Sequence, residues 1–357
     1  MSSAERSNVQ RARRIVVKIG SRTLAGDMDV YARLAQTIAA ARAQRRAVVL
    51  VSSGAIALGT KKLGYRTRPK EMAKLQAAAA AGQSVLMRAY EAAFAELDVT
   101  VAQVLLTHAD LADRVRANNA RAALAALLEA GAVPILNEND SVAVDEIRFG
   151  DNDQLSAMVA PLVDADLLVL LSDVEGLLDA RGARVPLVRD VLREAVPLVR
   201  ATKSADGIGG MASKLEAARR ATMAGAHVVI ADAREKDVLR AVLAGEDVGT
   251  LFCPSAERLS AKRYWIAFTL RPQGEVILDR GAVSAVRDKG KSVLSVGVLG
   301  VRGDFRAGDS VRLLDPDGVE LGRGLARCPS VDALTRAGHD ANVLVHRDEM
   351  VVWKDRQ

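Results

Sequence analysis

Short apolar runs, each closed by glycine, serine or an acidic residue, alternate with stretches of helical period through most of the chain. Residues 14–20 read RIVVKIG, an apolar run carrying one lysine and ending in a glycine turn, which predicts a buried strand. A helix is predicted over 30–45, then a strand over 47–51 ending in Ser52, Ser53 and Gly54, then another helix. Residues 61–70 are basic and polar and read as a loop. Residues 71–97 read as long Ala-rich helix with Gly82 inside it, and 99–106 as a third strand. A helix over 118–129, closed by Gly131, leads to a buried strand at 133–136.

The stretch that follows, 137–153, reads NENDSVAVDEIRFGDND. Two polar clusters, 137–140 and 151–153, flank an alternating segment of Val142, Val144, Ile147 and Phe149 that suits a small hairpin. A helix is expected to leave the second cluster with Asp151 or Asp153 near its N-cap. Further on, 167–171 is an apolar strand ended by Ser172 and Asp173, 181–184 a turn, and 203–210 a loop opening a helix at Met211. A strand at 227–230, a short helix at 236–243 and a last edge strand at 249–252 complete the pattern. This alternation predicts an α/β domain with an open, mostly parallel sheet.

After Leu270 the helical period is lost. Short β-type runs at 275–278, 293–299, 310–314, 319–321, 343–346 and 350–353 are punctuated by turn signals, which predicts a small β-rich second domain. The expected division is a disordered tail over 1–13, an α/β domain over 14–262, a linker over 263–272 and a β-rich domain over 273–357.

Composition narrows the class. Half the residues are hydrophobic but only 3% aromatic, so the core must be built from Ala, Val, Leu and Ile. The net charge of +6 is weakly clustered, which suits phosphorylated ligands as well as nucleic acid. Cys253 and Cys328 are far apart and form no CxxC pair, so neither a disulfide framework nor a zinc site is expected. His108, His227, His339 and His346 are isolated and read as structural or exposed. The first residues lack the apolar core of a secretory signal and no run reaches membrane-span length, so a cytoplasmic location is expected.

The polar clusters fall at strand ends, where open parallel sheets bind ligands. They are Lys18–Ser21, Ser52–Gly54, Asn137–Asp140 and Ser172–Asp173. The sequence GIGGMASK at 207–214 offers backbone N–H groups at a helix start, which suits a phosphate, although neither a Walker A loop nor a GxGxxG motif is present. Lys18 closes an apolar run, where a lysine is costly to bury without an anionic partner. Read alone, the Asp and Asn clusters serve equally as turn and cap residues. Two lysines and several acids, with no Ser-His-Asp or Cys-His set, favour phosphoryl transfer, which needs positioning and charge neutralisation above all. A carboxylate acceptor, with a pKa of about 4, needs no general base.

The motifs resemble those of the glutamate 5-kinase family, in its long form with a C-terminal PUA domain. The matching stretches are VVKIGS at 16–21, VSSGAIALG at 51–59, LLTHAD at 105–110 and PILNENDSVAVDEIRFGDNDQLSA at 134–157. LLSDVEGL at 170–177, GGMASKLEAA at 209–218, VGTLF at 248–252 and HRDEMVV at 346–352 complete the set. The resemblance implies the amino-acid-kinase fold, an open, mostly parallel sheet sandwiched by helices, followed by a PUA-like domain. It implies ATP-dependent phosphorylation of the γ-carboxylate of L-glutamate with Mg²⁺, the first step of proline biosynthesis. It implies Lys18 and Lys214 beside the transferred phosphoryl group, oriented by Asp153. Ser53, Asp140 and Asn152 would hold glutamate, with Asn137 and Asp151 lining the same pocket. Lys18, Ser172, Asp173 and the loop of Ile208, Gly209, Gly210, Met211, Ala212, Ser213 and Lys214 would hold ATP.

The family further implies proline as feedback inhibitor and a homo-oligomer, and allows contact with the next pathway enzyme. Two departures touch the nucleotide side: Ile208 stands where the family often has Thr, and LLDARGARVP follows Gly176 in place of a Leu-Tyr and a later Pro-bearing loop. Neither removes a charged candidate. The competing readings are another amino-acid kinase, acting on acetylglutamate, aspartate or a nucleotide, and an RNA-binding PUA protein. Few aromatic stacking residues weigh against the latter.

Overall fold

The computed structural model describes residues 2–26, 29–142, 152–201, 210–337 and 341–353. The chain divides into two compact units, Met1–Arg258 and Leu259–Gln357. Among the described residues no helix is long and apolar enough to cross a membrane.

The first unit is built on an eight-stranded sheet: β1 (Arg14–Ile19), β2 (Ala47–Ser52), β3 (Val101–Leu106), β4 (Val133–Glu138), β5 (Leu167–Ser172), β6 (Leu187–Val188), β7 (His227–Asp232) and β8 (Thr250–Phe252). Their order is β3-β4-β2-β1-β5-β7-β8-β6. From β3 to β7 every pairing is parallel; β8 runs antiparallel to β7 and parallel to β6. The central strands are near-continuous apolar runs because helices cover both faces. All six residues of β5 are buried.

Alternation along β1 decides where the chemistry goes. Ile15, Val17 and Ile19 belong to the core on one face, whereas Val16 belongs to the core on the other. The period of two places Lys18 on the face of Val16. Its register partners are Val51 of β2 and Leu170 of β5, both in that second core. The helices Asn152–Leu162 and Met211–Ala224 supply Leu155, Met158, Leu215 and Ala218 to the same core. A lysine in the middle of the sheet therefore meets the starts of two helices.

On the β2 side, the helices Ala55–Lys62 and Met72–Ala95 approach so closely that only glycine fits at their crossing. A Cβ at Gly59 would lie 1.7 Å from the carbonyl oxygen of Ala78, and one at Gly82 1.7 Å from that of Ala55.

Several expectations need correction. Within the expected disordered tail over 1–13, Ser2–Arg11 is instead helical, with Val9 buried. Its anchor is polar, which is why hydropathy missed it. Buried Arg6 donates to the carbonyls of Glu246, Val248, Gly249 and Pro186, and Arg46 donates to those of Val9 and Ala12. The strand expected at the edge is interior, since β8 lies between β7 and the two-residue β6. Residues 263–272 are not a free linker, because Ala261–Tyr264 and Trp265–Thr269 are helical and lie within the second unit. There Phe268 is buried and packs 5.7 Å from Trp353 between ring centroids.

The second unit is a six-stranded sheet whose pairings are antiparallel except for the one between Gly274–Leu278 and Ser310–Leu314. It also contains two short helices, Arg280–Arg287 and Ser330–Arg336, where the pattern predicts no helix. Two turns are too brief for a periodicity reading. The first is fixed by Asp279, which accepts from the backbone N–H of Ala282.

Gly82→Ala should lower the urea midpoint, with a loss of about 2 kcal/mol or more, because overpacking outweighs the better helix propensity of alanine. A midpoint equal to that of the unaltered protein would show that the two helices can separate without cost.

Candidate active site

The site is organised around Asp153. Its carboxylate lies in the first turn of the helix Asn152–Leu162 and is 3% exposed. Oδ1 is 2.7 Å from Lys18 Nζ, and Oδ2 accepts a hydrogen bond from Lys214 Nζ at 3.2 Å. The lysines are 8% and 7% exposed. Three side chains from β1, from the helix after β4 and from the helix before β7 thus form one buried ion cluster. Burial pushes the Asp153 carboxyl up; the two ammonium groups and their hydrogen bonds overcome this and hold it below the usual aspartate range. The cluster's stabilisation is therefore present above that range and is lost as pH falls through the depressed value.

Beside the ion cluster lies a cleft of about 600 Å³ of empty space, part of it open to solvent. Ser53, Asn137, Asp140 and Asn152 line it, with Ser21, Glu138, Arg68 and the segment Gly54–Ala57. Gly54 has φ of 107°, a conformation suited to glycine, and turns the chain from β2 into the helix Ala55–Lys62. That helix has no side-chain cap, so its first N–H groups face the cleft uncapped.

A relay of amides fixes the floor. Asn152 Nδ2 donates to Ser53 Oγ at 2.7 Å, to the Ser52 carbonyl at 3.0 Å and to Asn137 Oδ1 at 3.0 Å. Asn137 Nδ2 donates in turn to Gln83 Oε1 at 2.9 Å. Behind them, Ser52 Oγ and Tyr90 Oη lie 2.8 Å apart.

On the far side of the ion cluster, β5 ends in Ser172, whose Oγ donates to Asp173 Oδ1 at 3.1 Å. The helix Met211–Ala224 starts at Gly210 without a side-chain cap, a start that suits a phosphate group. Gln154 Nε2 donates to the Ser213 carbonyl at 3.0 Å and ties this helix start to that of Asp153.

The structure thus brings Lys18, Asp153 and Lys214 together, and gathers Ser53, Asn137, Asp140 and Asn152 around one cleft. Met211, Ala212, Ser213 and Lys214 form one helical turn after Gly210. Asp151, Ile208, Gly209 and residues 143–149 of the hairpin expected over 141–149 lie outside the described residues.

The sequence reading missed Gln83, Gln154 and Arg68. A signal existed for Gln83: it shares a buried helical stripe with Ala79, Gly82, Leu86 and Tyr90, where a polar residue is out of place. Gln154 and Arg68 carried no such signal.

The amino acid kinase family model matches residues 13–232, and the PUA domain model matches residues 274–347. The chain is 43% identical to a glutamate 5-kinase of Trichlorobacter lovleyi over 97% of this chain and 98% of that one. It is 45% identical to a glutamate 5-kinase of Thioalkalivibrio sulfidiphilus, covering 97% of this chain and 99% of that one. It is likewise 45% identical to one of Burkholderia vietnamiensis, covering 97% and 100%. Among solved structures, N-acetylglutamate synthase from Neisseria gonorrhoeae, complexed with coenzyme A and L-arginine, superposes with a TM-score of 0.52 at 17% identity. That match covers 71% of this chain and 64% of the other, and speaks to the fold alone. With its buried lysine–aspartate–lysine cluster, its amide-floored cleft and full-length similarity to such enzymes, the chain belongs to the glutamate 5-kinase family of amino acid kinases with a C-terminal PUA domain.

Proposed function

We propose that this site transfers the terminal phosphoryl group of ATP to the γ-carboxylate of L-glutamate, giving L-glutamyl 5-phosphate and ADP, the first step of proline biosynthesis. The observation that carries the reading is the ion cluster, in which Asp153 holds Lys18 and Lys214 at 2.7 and 3.2 Å. Two cations and one anion leave an excess positive charge in a buried position. Phosphoryl transfer spreads negative charge over the oxygens of the group in flight, and fixed cations there lower the barrier.

Each residue then has a task. Lys18 stands by the acceptor and the transferred group, and Lys214 stands by the nucleotide. Asp153 holds both ammonium groups at fixed points and remains ionised throughout the neutral range, in keeping with its depressed pKa. The acceptor is already a carboxylate at neutral pH, so no proton has to be removed. Ser53, Asn137, Asp140 and Asn152, with Asp151, bind glutamate. Ser172, Asp173 and the segment 208–214 receive ATP.

Mg²⁺ is bound through one or two carboxylates together with substrate phosphates. Both oxygens of Asp153 already face lysine, so the donor set fits an ion carried mainly on the nucleotide's own phosphates. When bound, it supplies further neutralisation of phosphate charge. Feedback inhibition by proline in the glutamate cleft and assembly into a homo-oligomer belong to the same proposal, as does a cytoplasmic location.

With ATP and Mg²⁺, L-glutamate should give an acyl phosphate that hydroxylamine traps as the γ-hydroxamate. A product formed with acetylglutamate, aspartate or a nucleotide in its place would overturn the assignment. Lys18→Ala and Lys214→Ala should each lower kcat by about a hundredfold or more, the scale of a lost oxyanion donor. Steady-state turnover near that of the unaltered protein in either variant would remove that lysine from the mechanism.

A further inference from the structure

L-Glutamate presents three charged groups, and the roles assigned above provide for two. The γ-carboxylate goes to the lysines, and the α-ammonium suits the carboxylates of Glu138 and Asp140 in the cleft wall. The α-carboxylate still needs donors. Among the described residues lining the cleft, Arg68 is the one cation. It lies in the loop after the helix Ala55–Lys62, and among the described residues no hydrogen bond or ion pair with another side chain engages its guanidinium. Just after this loop, in the first turn of the helix Met72–Ala95, Lys74 is engaged by Glu71 at 2.7 Å. Arg68 also precedes Pro69, which restricts its backbone to extended conformations and narrows where the side chain can reach. The uncapped N–H groups of the helix starting at Ala55 line the same cleft and add a favourable potential for an anion.

We propose that Arg68 is the specificity-determining residue that recognises the free α-carboxylate of the substrate, in concert with the helix start at Gly54–Ala57. Guanidinium and carboxylate are planar and match as a two-pronged pair, which a lysine or a neutral donor does not reproduce. The site thereby distinguishes an α-amino acid from a γ-carboxylate whose α-position is amidated. This rests on the reading that the cleft holds glutamate.

The test uses the full-length protein with L-glutamate and with L-isoglutamine, which keeps the γ-carboxylate and carries an α-carboxamide. Arg68→Ala should raise the KM for L-glutamate about 10- to 100-fold, the range for a lost charge-assisted pair, with kcat changed less than about threefold. The KM for L-isoglutamine should move by less than about threefold, so the preference between the two collapses. Arg68→Lys should recover part of the lost affinity for L-glutamate alone. An unchanged KM for L-glutamate, or parallel rises for both substrates, would overturn the role of Arg68. Asp140→Asn serves as the control on the cleft and should raise both KM values. If it does so while Arg68→Ala has no effect, only the Arg68 assignment fails. If neither variant affects KM, the placement of glutamate in this cleft fails with it.

Discussion

A single buried carboxylate holds the site together. Asp153 faces Lys18 on one oxygen and Lys214 on the other, with all three side chains at least nine-tenths buried. Bringing three charges out of water costs several kcal/mol per ion before pairing offsets it, and here the pairing is incomplete by one negative charge. A protein selected for stability alone would replace such a cluster with apolar side chains. Its persistence makes sense if an anionic substrate completes the charge balance. The fold thus holds in reserve an electrostatic attraction for an anion such as a phosphate or a carboxylate.

Sheet topology makes this arrangement possible. β1 is central, with β2 and β5 on either side, so a side chain on one of its faces is surrounded by sheet and reached only from above. The helices that follow β4 and precede β7 both cover that face. Their N-terminal turns meet over Lys18, and Gln154 links them through the Ser213 carbonyl. Parallel strands put the starts of their helices at one end of the sheet, where uncapped N–H groups add to the positive field.

Much of this was legible from local pattern. Lys18 stood out because a lysine within RIVVKIG demands an anion, and the resident anion proves to be Asp153. The polar clusters at strand ends were visible because small and acidic residues interrupt apolar runs. What escaped depends on long-range contact. Arg6 anchors the N-terminal helix by donating to carbonyls some 240 positions away, which no local window contains. The two-residue β6 becomes the sheet edge only because β8 lies beside it. Gln83 reaches Asn137 beneath the cleft because Gly82 lets its helix press against the backbone at Ala55, a contact set by tertiary packing.

The stretch at 137–153 gains a sharper division from the geometry. Among the described residues its two clusters share one cleft, but they do not serve that cleft alone. Asn137 and Asn152 join through a 3.0 Å hydrogen bond and build the cleft floor, while Asp153, one residue further on, belongs to the ion cluster. Successive residues on a helix point about 100° apart, so the first turn of Asn152–Leu162 faces two compartments at once. Any shift of that turn moves the Asn152 amide of the cleft floor together with the carboxylate that sets the two lysines. The cleft floor and the ion cluster are therefore coupled through one helix start, and a ligand that displaces Asn152 in the cleft disturbs the lysines without touching them.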